Sequence, residues 1–411
     1  MSDPDPRERT AAPLGAAIGA VAPILGRIGT WTAGLPYWVL FVGAAVVVIV
    51  KSGFKWAGTT GQGWFIEFRS VIDAWPLKEP IGAGGSAWQE NWAPIATFKA
   101  LTKIGLPYDS ATWTLIHVLA SVAAVAVIGF WARRTYGDDL GRMVAILVLF
   151  GAAPIVLLQE IGRYDSFFFL GAVVMVLSRR WWWIVSGALL LGASSWPIGL
   201  GTSGSLVLVG LVLGSRSLLG RGALALGGCV VGAATLMALR AAQGGDPGLS
   251  RLAEGGGSTS SEGVVLTKVV YHVWNNLIEP FPNWIYAAFG VTWILVGLVL
   301  LQSPRRRVLL GLAIVALPLI AAATNSDDGT REIALAFTAV LLGTANALQR
   351  RAEGPAPAAT PLPTVSPVVL GLIVVIALAA PVVDINPSAP LNPYQWLSDY
   401  GLSIVYSILG P

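Results

Sequence analysis

The sequence has little charge, one cysteine and two histidines. Only 12% of its 411 residues are charged, against about 25% in an ordinary soluble domain. The single thiol, Cys229, cannot form an intramolecular disulfide, and two histidines leave a zinc site improbable. We find no cationic leader with a cleavage site, no glycine-rich phosphate loop and no tandem repeat of fixed period. The composition therefore excludes an ordinary soluble domain and a disulfide scaffold, and we expect no signal peptide.

What the sequence does have is long apolar segments, in a chain that is 55% hydrophobic. A bilayer core of about 30 Å needs about 20 apolar residues per helix, so the sequence predicts an all-α polytopic membrane protein with about eleven transmembrane helices. The predicted spans are 35–50, 112–131, 143–158, 167–178, 182–194, 205–214, 222–240, 285–302, 307–323, 332–348 and 367–383. The weakest span, 167–178, covers only about 18 Å. We expect it to be anchored by the tryptophans at 181–183, or to pair with the next helix as a hairpin buried among the others.

Arginine clusters then set the orientation of the predicted spans. They fall on one side of the membrane under this count, and by the positive-inside rule that side is the cytoplasm. The clusters are Arg133-Arg134, Arg179-Arg180, Arg216 with Arg221, Arg305-Arg306-Arg307 and Arg350-Arg351. We expect a multi-pass protein of the cell membrane with a cytoplasmic N-terminus and an external C-terminus.

The predicted organisation has four parts. Residues 1–34 form a cytoplasmic segment, and residues 35–350 form the transmembrane bundle with external loops at 51–111 and 241–284. A Pro/Ala linker at 351–366 lies on the cytoplasmic side, and residues 367–411 hold the last transmembrane helix and an external tail.

The first external loop contains two amphipathic segments. In GQGWFIEFRSVIDAWPL, apolar residues from Trp64 to Ile72 recur at helical spacing, and Glu67 and Asp73 occupy other faces. The second segment, NWAPIATFKALTKIGLPY, places two lysines opposite its apolar residues. This pattern is typical of helices lying in the membrane interface. They either seal the outer rim of the bundle or form a platform that holds a carboxylate above it.

Two short turns on the same predicted side concentrate charge at helix ends. The stretch LLQEIGRYDSFFFL carries Glu160, Arg163 and Asp165, and NSDDGTRE carries Asp327, Asp328, Arg331 and Glu332. Ionisable groups at membrane depth usually pair with one another or face a polar cavity. Each turn alone could be a structural salt-bridge cluster, whereas two on one face favour a shared cavity that opens outward.

At these residues the sequence resembles the integral-membrane glycosyltransferases with the GT-C fold, especially the actinobacterial branch that uses polyprenyl-phosphate sugars. The resemblance covers roughly residues 35–350 and lies in three stretches: WFIEF, NWAPIATFKAL and GRYDSFFFLGAVVMVLSRRWWWIVSGALLLGASSWPIGL. The sequence departs from the family at two points. Glu67 stands where the first-loop acid is usually aspartate, and Ser195-Trp196-Pro197 lacks the family's lysine.

The resemblance implies transfer of a sugar from a lipid phosphate to a glycan or glycolipid acceptor on the external face. A carboxylate would act as general base and cations would hold the lipid phosphate. For the base we favour Glu67, then Asp165, then Asp73. The remaining candidates would bind phosphate or sugar: Arg163, Arg331, His272, Glu160, Trp196, Trp274 and Asp328.

No organic cofactor is expected, and Asp327 with Asp328 leaves a divalent cation open. The expected partners are the polyprenyl-phosphate-linked sugar, the acceptor and the lipid bilayer, without nucleic acid. His117, in the apolar stretch WTLIHVLA, is read as a packing residue. Two alternatives share the polytopic architecture: a polysaccharide polymerase, and a lipid-linked sugar flippase or other transporter. A transporter would be expected to show inverted repeats and charges within its spans.

Overall fold

The computed structural model describes residues 21–52, 65–66, 68–69, 72–73, 92–159, 161–163, 165–241, 288–302, 305–325, 329–352 and 365–380. Its helices are α1 (Val21–Gly34), α2 (Tyr37–Ser52), α3 (Trp92–Lys103), α4 (Ser110–Leu149), α5 (Ala152–Gln159), α6 (Asp165–Leu177), α7 (Trp181–Ser194), α8 (Trp196–Leu213), α9 (Arg216–Ala241), α10 (Trp293–Leu301), α11 (Arg307–Asn325), α12 (Gly329–Ala352) and α13 (Pro367–Ala379). Within these residues the only β-type pairings are two isolated bridges. The predicted all-α class is therefore confirmed.

Helix α4 is a hairpin of two arms rather than one rod. Gly137 has a left-handed φ of 72° inside it, and a Cβ placed on Gly141 would lie 3.0 Å from the carbonyl oxygen of Ala132. Residues nine positions apart would be about 13 Å apart along a straight helix, so the chain reverses at Gly137. The arms, 110–136 and 138–149, correspond to the predicted span 112–131 and the start of the span 143–158.

Within the described residues, four stretches are long and apolar enough to cross a membrane: Ser110–Leu149, Trp196–Leu213, Arg216–Thr235 and Arg331–Gln349. Helices α1 and α2, bent by 115° relative to each other, would together make a fifth. Shorter apolar helices have 10–17 residues and include Asp165–Leu177 and Trp181–Ser194. Membrane character is thus supported and a helix lies at each predicted position, while the count of about eleven spans stays a prediction.

Direct contacts gather the arginine clusters at one end of the bundle. Arg142 donates to the carbonyl of Leu35, Arg221 donates to that of Ser178, and Arg306 donates to that of Val212. Asn346 of α12 links the same end, since it accepts a hydrogen bond from the Trp131 indole and donates one to the carbonyl of Val176. We call this the arginine end, and the opposite end, where α6 and α12 begin, the Asp165 end.

Helices α6 and α7 form a tightly packed antiparallel hairpin. A Cβ on Gly171 would lie 2.8 Å from the Gly187 carbonyl oxygen, and one on Gly187 would lie 2.6 Å from the Gly171 carbonyl oxygen. Such close backbone approach through small residues is characteristic of helix packing in membranes. Nearly all of α6 is buried, while Trp181, Trp182 and Trp183 at the start of α7 are exposed. The short predicted span at 167–178 therefore belongs to a hairpin among other helices, one of its two predicted forms.

Helix α1, which the sequence analysis did not predict, crosses α13 where glycines bring the backbones together. A Cβ on Gly371 would lie 2.0 Å from the carbonyl oxygen of Leu25. The far end of α13 is held by Lys51, whose buried Nζ donates to the carbonyls of Ala377 and Leu378, both at 2.9 Å, and of Ala380 at 2.5 Å. A cation at a helix C-terminus is favourable because the carbonyl dipoles there carry partial negative charge.

The two amphipathic segments of the first loop pack on the Asp165 end. Their buried side chains form, with the start of α4, a cluster that we call the apolar cap: Phe65, Phe68, Ile72, Phe98 and Trp113. The cap also contacts Phe167 of α6 and Ala193 of α7. Arg69 and Asp73 point away from it and are exposed. In the described part of the first segment, Phe65, Phe68 and Ile72 are buried, while the placement of both segments as interfacial helices stays a prediction.

Candidate active site at the Asp165 end

The two charged turns predicted to share a site meet in a buried ion pair. Nη1 of Arg331 donates to Oδ2 of Asp165 at 2.8 Å, and each side chain is only 1% exposed. Asp165 begins α6, where the positive end of the helix dipole favours a carboxylate. Arg331 lies in the first turn of α12, where the dipole of that helix disfavours a cation. The carboxylate of Asp165 therefore offsets both the unfavourable dipole and the loss of water around the buried guanidinium. The contact itself is closed to solvent, in contrast to the open cavity that the sequence predicted.

The described charges next to this pair are of both signs. Glu332, next to Arg331, is 2% exposed, and Arg163 is half-buried in the turn that leads into α6. The turn depends on Gly162, whose φ of 105° is readily adopted only by glycine. Among the described residues of the two turns, Arg163 and Arg331 are thus accompanied by the carboxylates of Asp165 and Glu332. Opposite charges close by are what allow ionisable groups to remain charged away from water.

A histidine that the sequence analysis treated as a packing residue also faces this turn. Nδ1 of His117 lies 2.7 Å from Oγ of Ser166, and the indole of Trp113 donates to the carbonyl of Gly162 at 2.9 Å. Trp113 and His117 are spaced i, i+4 on α4, so they occupy one helical face. That spacing was a signal that this face carries hydrogen-bonding groups. The partners themselves are 49 positions away in the sequence and could not be read from it.

Asp73, the third candidate base, lies on the exposed surface of the cap. Its carboxylate accepts a hydrogen bond of 2.5 Å from the Tyr108 hydroxyl and lies 4.0 Å from Arg69, with its side chain 58% exposed. Burial, and then the hydrogen bond to Asp73, raise the pKa of Tyr108 above its ordinary value. Tyr108 is therefore a neutral donor at physiological pH, and Asp73 is a carboxylate open to solvent.

Ring contacts connect Asp73 to the buried pair. Tyr108 packs edge-on against Phe98, with ring centroids 5.0 Å apart, and Phe98 packs against Trp113 at 5.5 Å. Trp113 in turn bonds the turn at Gly162. The cap and the charged turns are thus one packed unit at the Asp165 end.

Trp196 begins α8 at this same end and is half-buried. Ala193, three residues earlier, is in the cap cluster, so Trp196 lies near the cap along the chain. The other predicted site residues lie outside the described residues: Glu67, Glu160, His272, Trp274 and Asp328. Within the described part of the chain, no three residues among histidine, cysteine, aspartate and glutamate are grouped so as to hold a metal ion.

Comparison with known proteins identifies no relative. No protein-family model matches the chain, and neither a curated protein nor a solved structure does.

Proposed function

We propose that the protein is a membrane glycosyltransferase that moves a sugar from a polyprenyl-phosphate donor to a cell-envelope glycan or glycolipid. The observation that carries the proposal is the arrangement at the Asp165 end. There an amphipathic cap with an exposed carboxylate packs against the turn that leads into α6, and the buried Asp165–Arg331 pair joins α6 to α12. This arrangement supports chemistry at a membrane surface, where a lipid-borne phosphate and a polar acceptor can meet.

In this proposal the carboxylate of Glu67 takes the proton of the acceptor hydroxyl as the acceptor oxygen bonds to the anomeric carbon of the sugar. The bond from that carbon to the phosphate oxygen breaks, and the lipid phosphate leaves with its negative charge. Arg163, half-buried beside the cap, stabilises that charge through the two-pronged geometry of its guanidinium. Asp165 and Arg331 are positioning residues, because their contact with each other occupies them. Asp73 is the second carboxylate available to the acceptor.

The arginine end faces the cytoplasm in this proposal, as the positive-inside rule favours. The Asp165 end and the C-terminal tail then face outward, where envelope acceptors are found. A transporter is less well supported, because the described ion pair lies at the starts of α6 and α12 rather than in the middle of a span. A polysaccharide polymerase would use the same geometry and would be recognised by a product that grows by many units.

The test is a transfer assay on purified protein with Glu67→Gln, which keeps the shape of the side chain and removes the base. Transfer should fall by about 10² to 10⁴, the range for one general base. Glu79→Gln, in the same loop, is the matched control and should retain transfer. If Glu67→Gln keeps nearly full transfer while Asp165→Asn abolishes it without harming the fold, the role of base moves to Asp165. Normal transfer by both variants would overturn the general-base proposal.

A further inference from the structure

A cavity of about 210 Å³ lies at the arginine end, lined in part by the ends of α6 and α12 that are opposite to Asp165 and Arg331. It is smaller than the roughly 300–1,000 Å³ of pockets that take drug-sized ligands. Its apolar wall includes Met175, Leu206 and Leu218, and its polar wall includes Ser215, Ser217 and Arg221. The cavity therefore suits a small polar group with a short apolar attachment.

Arg221 is the group that a ligand would meet. One of its N–H groups donates to the carbonyl of Ser178, which fixes the guanidinium at the wall, and a guanidinium has five N–H donors in all. Asn346, the other large polar side chain of the wall, is already committed on both sides, to Trp131 and to the carbonyl of Val176. Arg221 is therefore the charged donor of the wall, beside the second N–H of Asn346 and the hydroxyls of Ser215 and Ser217.

The start of α9 adds donors beside Arg221. The Ser215 hydroxyl caps this helix by accepting from the amide of Leu218 at 3.3 Å. The amide of Leu219 makes the first intrahelical bond, to the carbonyl of Ser215 at 2.9 Å. The earlier amides, at Arg216 and Ser217, have no intrahelical acceptor. They carry the positive end of the helix dipole toward the cavity wall.

The stretch of chain that supplies α7, α8 and α9 carries charge of one sign. Between Asp165 and Asp246 the sequence has no acidic residue, yet this stretch supplies Arg179, Arg180 and Arg216 as well as Arg221. In the described part of the chain, none of the ion pairs involves Arg221. A cation with unused donors, beside a cavity with an apolar wall, is an incomplete arrangement that an anion would complete.

We propose that this cavity binds the phosphate group of an anionic membrane lipid. Arg221 and the first turn of α9 bond the phosphate oxygens, and the apolar wall contacts the glycerol and the first methylenes. Basic pockets between transmembrane helices on the cytoplasmic side are a recognised type of headgroup site. Free inorganic phosphate offers the same oxygens, so the two sources must be separated by experiment. The inference does not rest on the proposed transferase activity.

The experiment measures lipid binding to the purified full-length protein by native mass spectrometry and by the rise in its unfolding temperature. The probes are phosphatidylglycerol, phosphatidylcholine and inorganic phosphate alone. Phosphatidylglycerol should bind and stabilise the wild type more than phosphatidylcholine does. Arg221→Gln should weaken that binding about tenfold or more, because charge-assisted bonds to phosphate are lost. Arg134→Gln, an exposed arginine of α4 outside the cavity wall, is the matched control and should bind as the wild type does.

Ser217→Asp provides a second variant in case Arg221→Gln fails to fold. An acidic residue in the first turn of a helix favours the helix, so the fold should persist while the carboxylate repels the phosphate. Unchanged binding by Ser217→Asp would overturn the proposal, as would equal weakening by Arg134→Gln and Arg221→Gln. Protection by inorganic phosphate alone, lost in Arg221→Gln, would keep the phosphate site and overturn its assignment to a lipid.

Discussion

Asp165→Asn should destabilise the folded protein far more than Asp138→Asn, although each carboxylate lies 2.8 Å from an arginine nitrogen. Burial makes the difference. The Asp165–Arg331 side chains are each 1% exposed, whereas those of Arg133 and Asp138 are 44% and 47% exposed. Removing one partner of a buried pair leaves an uncompensated charge and costs about 3–5 kcal/mol. An exposed pair contributes about 0–1 kcal/mol.

The assay is reversible unfolding of the purified protein in mixed micelles, read by the loss of helical signal. Arg331→Met and the double variant complete a double-mutant cycle with Asp165→Asn. The double variant removes both charges together, so its loss of unfolding free energy should be smaller than the sum of the losses in the two single variants. For residues in contact, the coupling is typically 0.5–3 kcal/mol. Both residues make further polar contacts, so the double variant should still be less stable than the wild type.

Two results would refute this reasoning. The first is a loss of unfolding free energy in Asp165→Asn that is no larger than the loss in Asp138→Asn. It would mean that burial does not isolate the pair from solvent. The second is additivity in the cycle, which would mean that Asp165 and Arg331 do not act on each other. Either result would also remove the contact by which the proposed site joins α6 to α12.

Three further predictions follow from the packing and the charges. Lys51→Met should lower the free energy of unfolding by about 1–3 kcal/mol, because the carbonyls at the end of α13 lose their buried donor. An unchanged free energy of unfolding would contradict the capping role. Gly171→Ala should destabilise the folded protein, since its Cβ would lie 2.8 Å from backbone atoms of α7. The control Gly43→Ala meets nothing within 4 Å and should stabilise α2 by about 0.5–1 kcal/mol. Equal effects of the two substitutions on unfolding would contradict the packing. Cysteines introduced at Ser258 and at Ala358 should be labelled from opposite sides of the membrane, and the native Cys229 should not react because it is buried. Equal labelling of both from outside would overturn the orientation.

The positions of the helices could be predicted because long apolar runs have few other ways to satisfy their backbone in a membrane. Helix α8 shows where that signal fails. It begins at Trp196 rather than at the predicted 205. The prediction started too late because the stretch GLGTSGS looks polar, although the side chains of Thr202, Ser203 and Ser205 are fully buried. Thr202 donates its hydroxyl to the carbonyl of Ile198 one turn back, and this bond satisfies the polar group inside the helix. Helix α1 was missed because Arg27 and several glycines interrupt its apolar residues.

The ion pair at the site could be anticipated in part. Placing two charged turns on one side of the bundle brought Asp165 and Arg331 into one region, and the structure gives them direct contact. Their closure to solvent could not be predicted, because it depends on how α6, α12 and the cap pack. The contact between His117 and Ser166 was missed for the same reason. Hydropathy reports which residues leave water and carries no information on which of them then meet.

The central claim, sugar transfer from a lipid phosphate at the Asp165 end, is tested most directly with purified protein in sealed vesicles. A polyprenyl-phosphate donor carrying a radiolabelled sugar is supplied together with an envelope-glycolipid acceptor. The account predicts that the label moves to the acceptor with release of polyprenyl phosphate, and that a nucleotide-linked sugar does not replace the donor. Movement of the intact donor across the vesicle membrane without transfer of its sugar would contradict the account and identify a transporter instead.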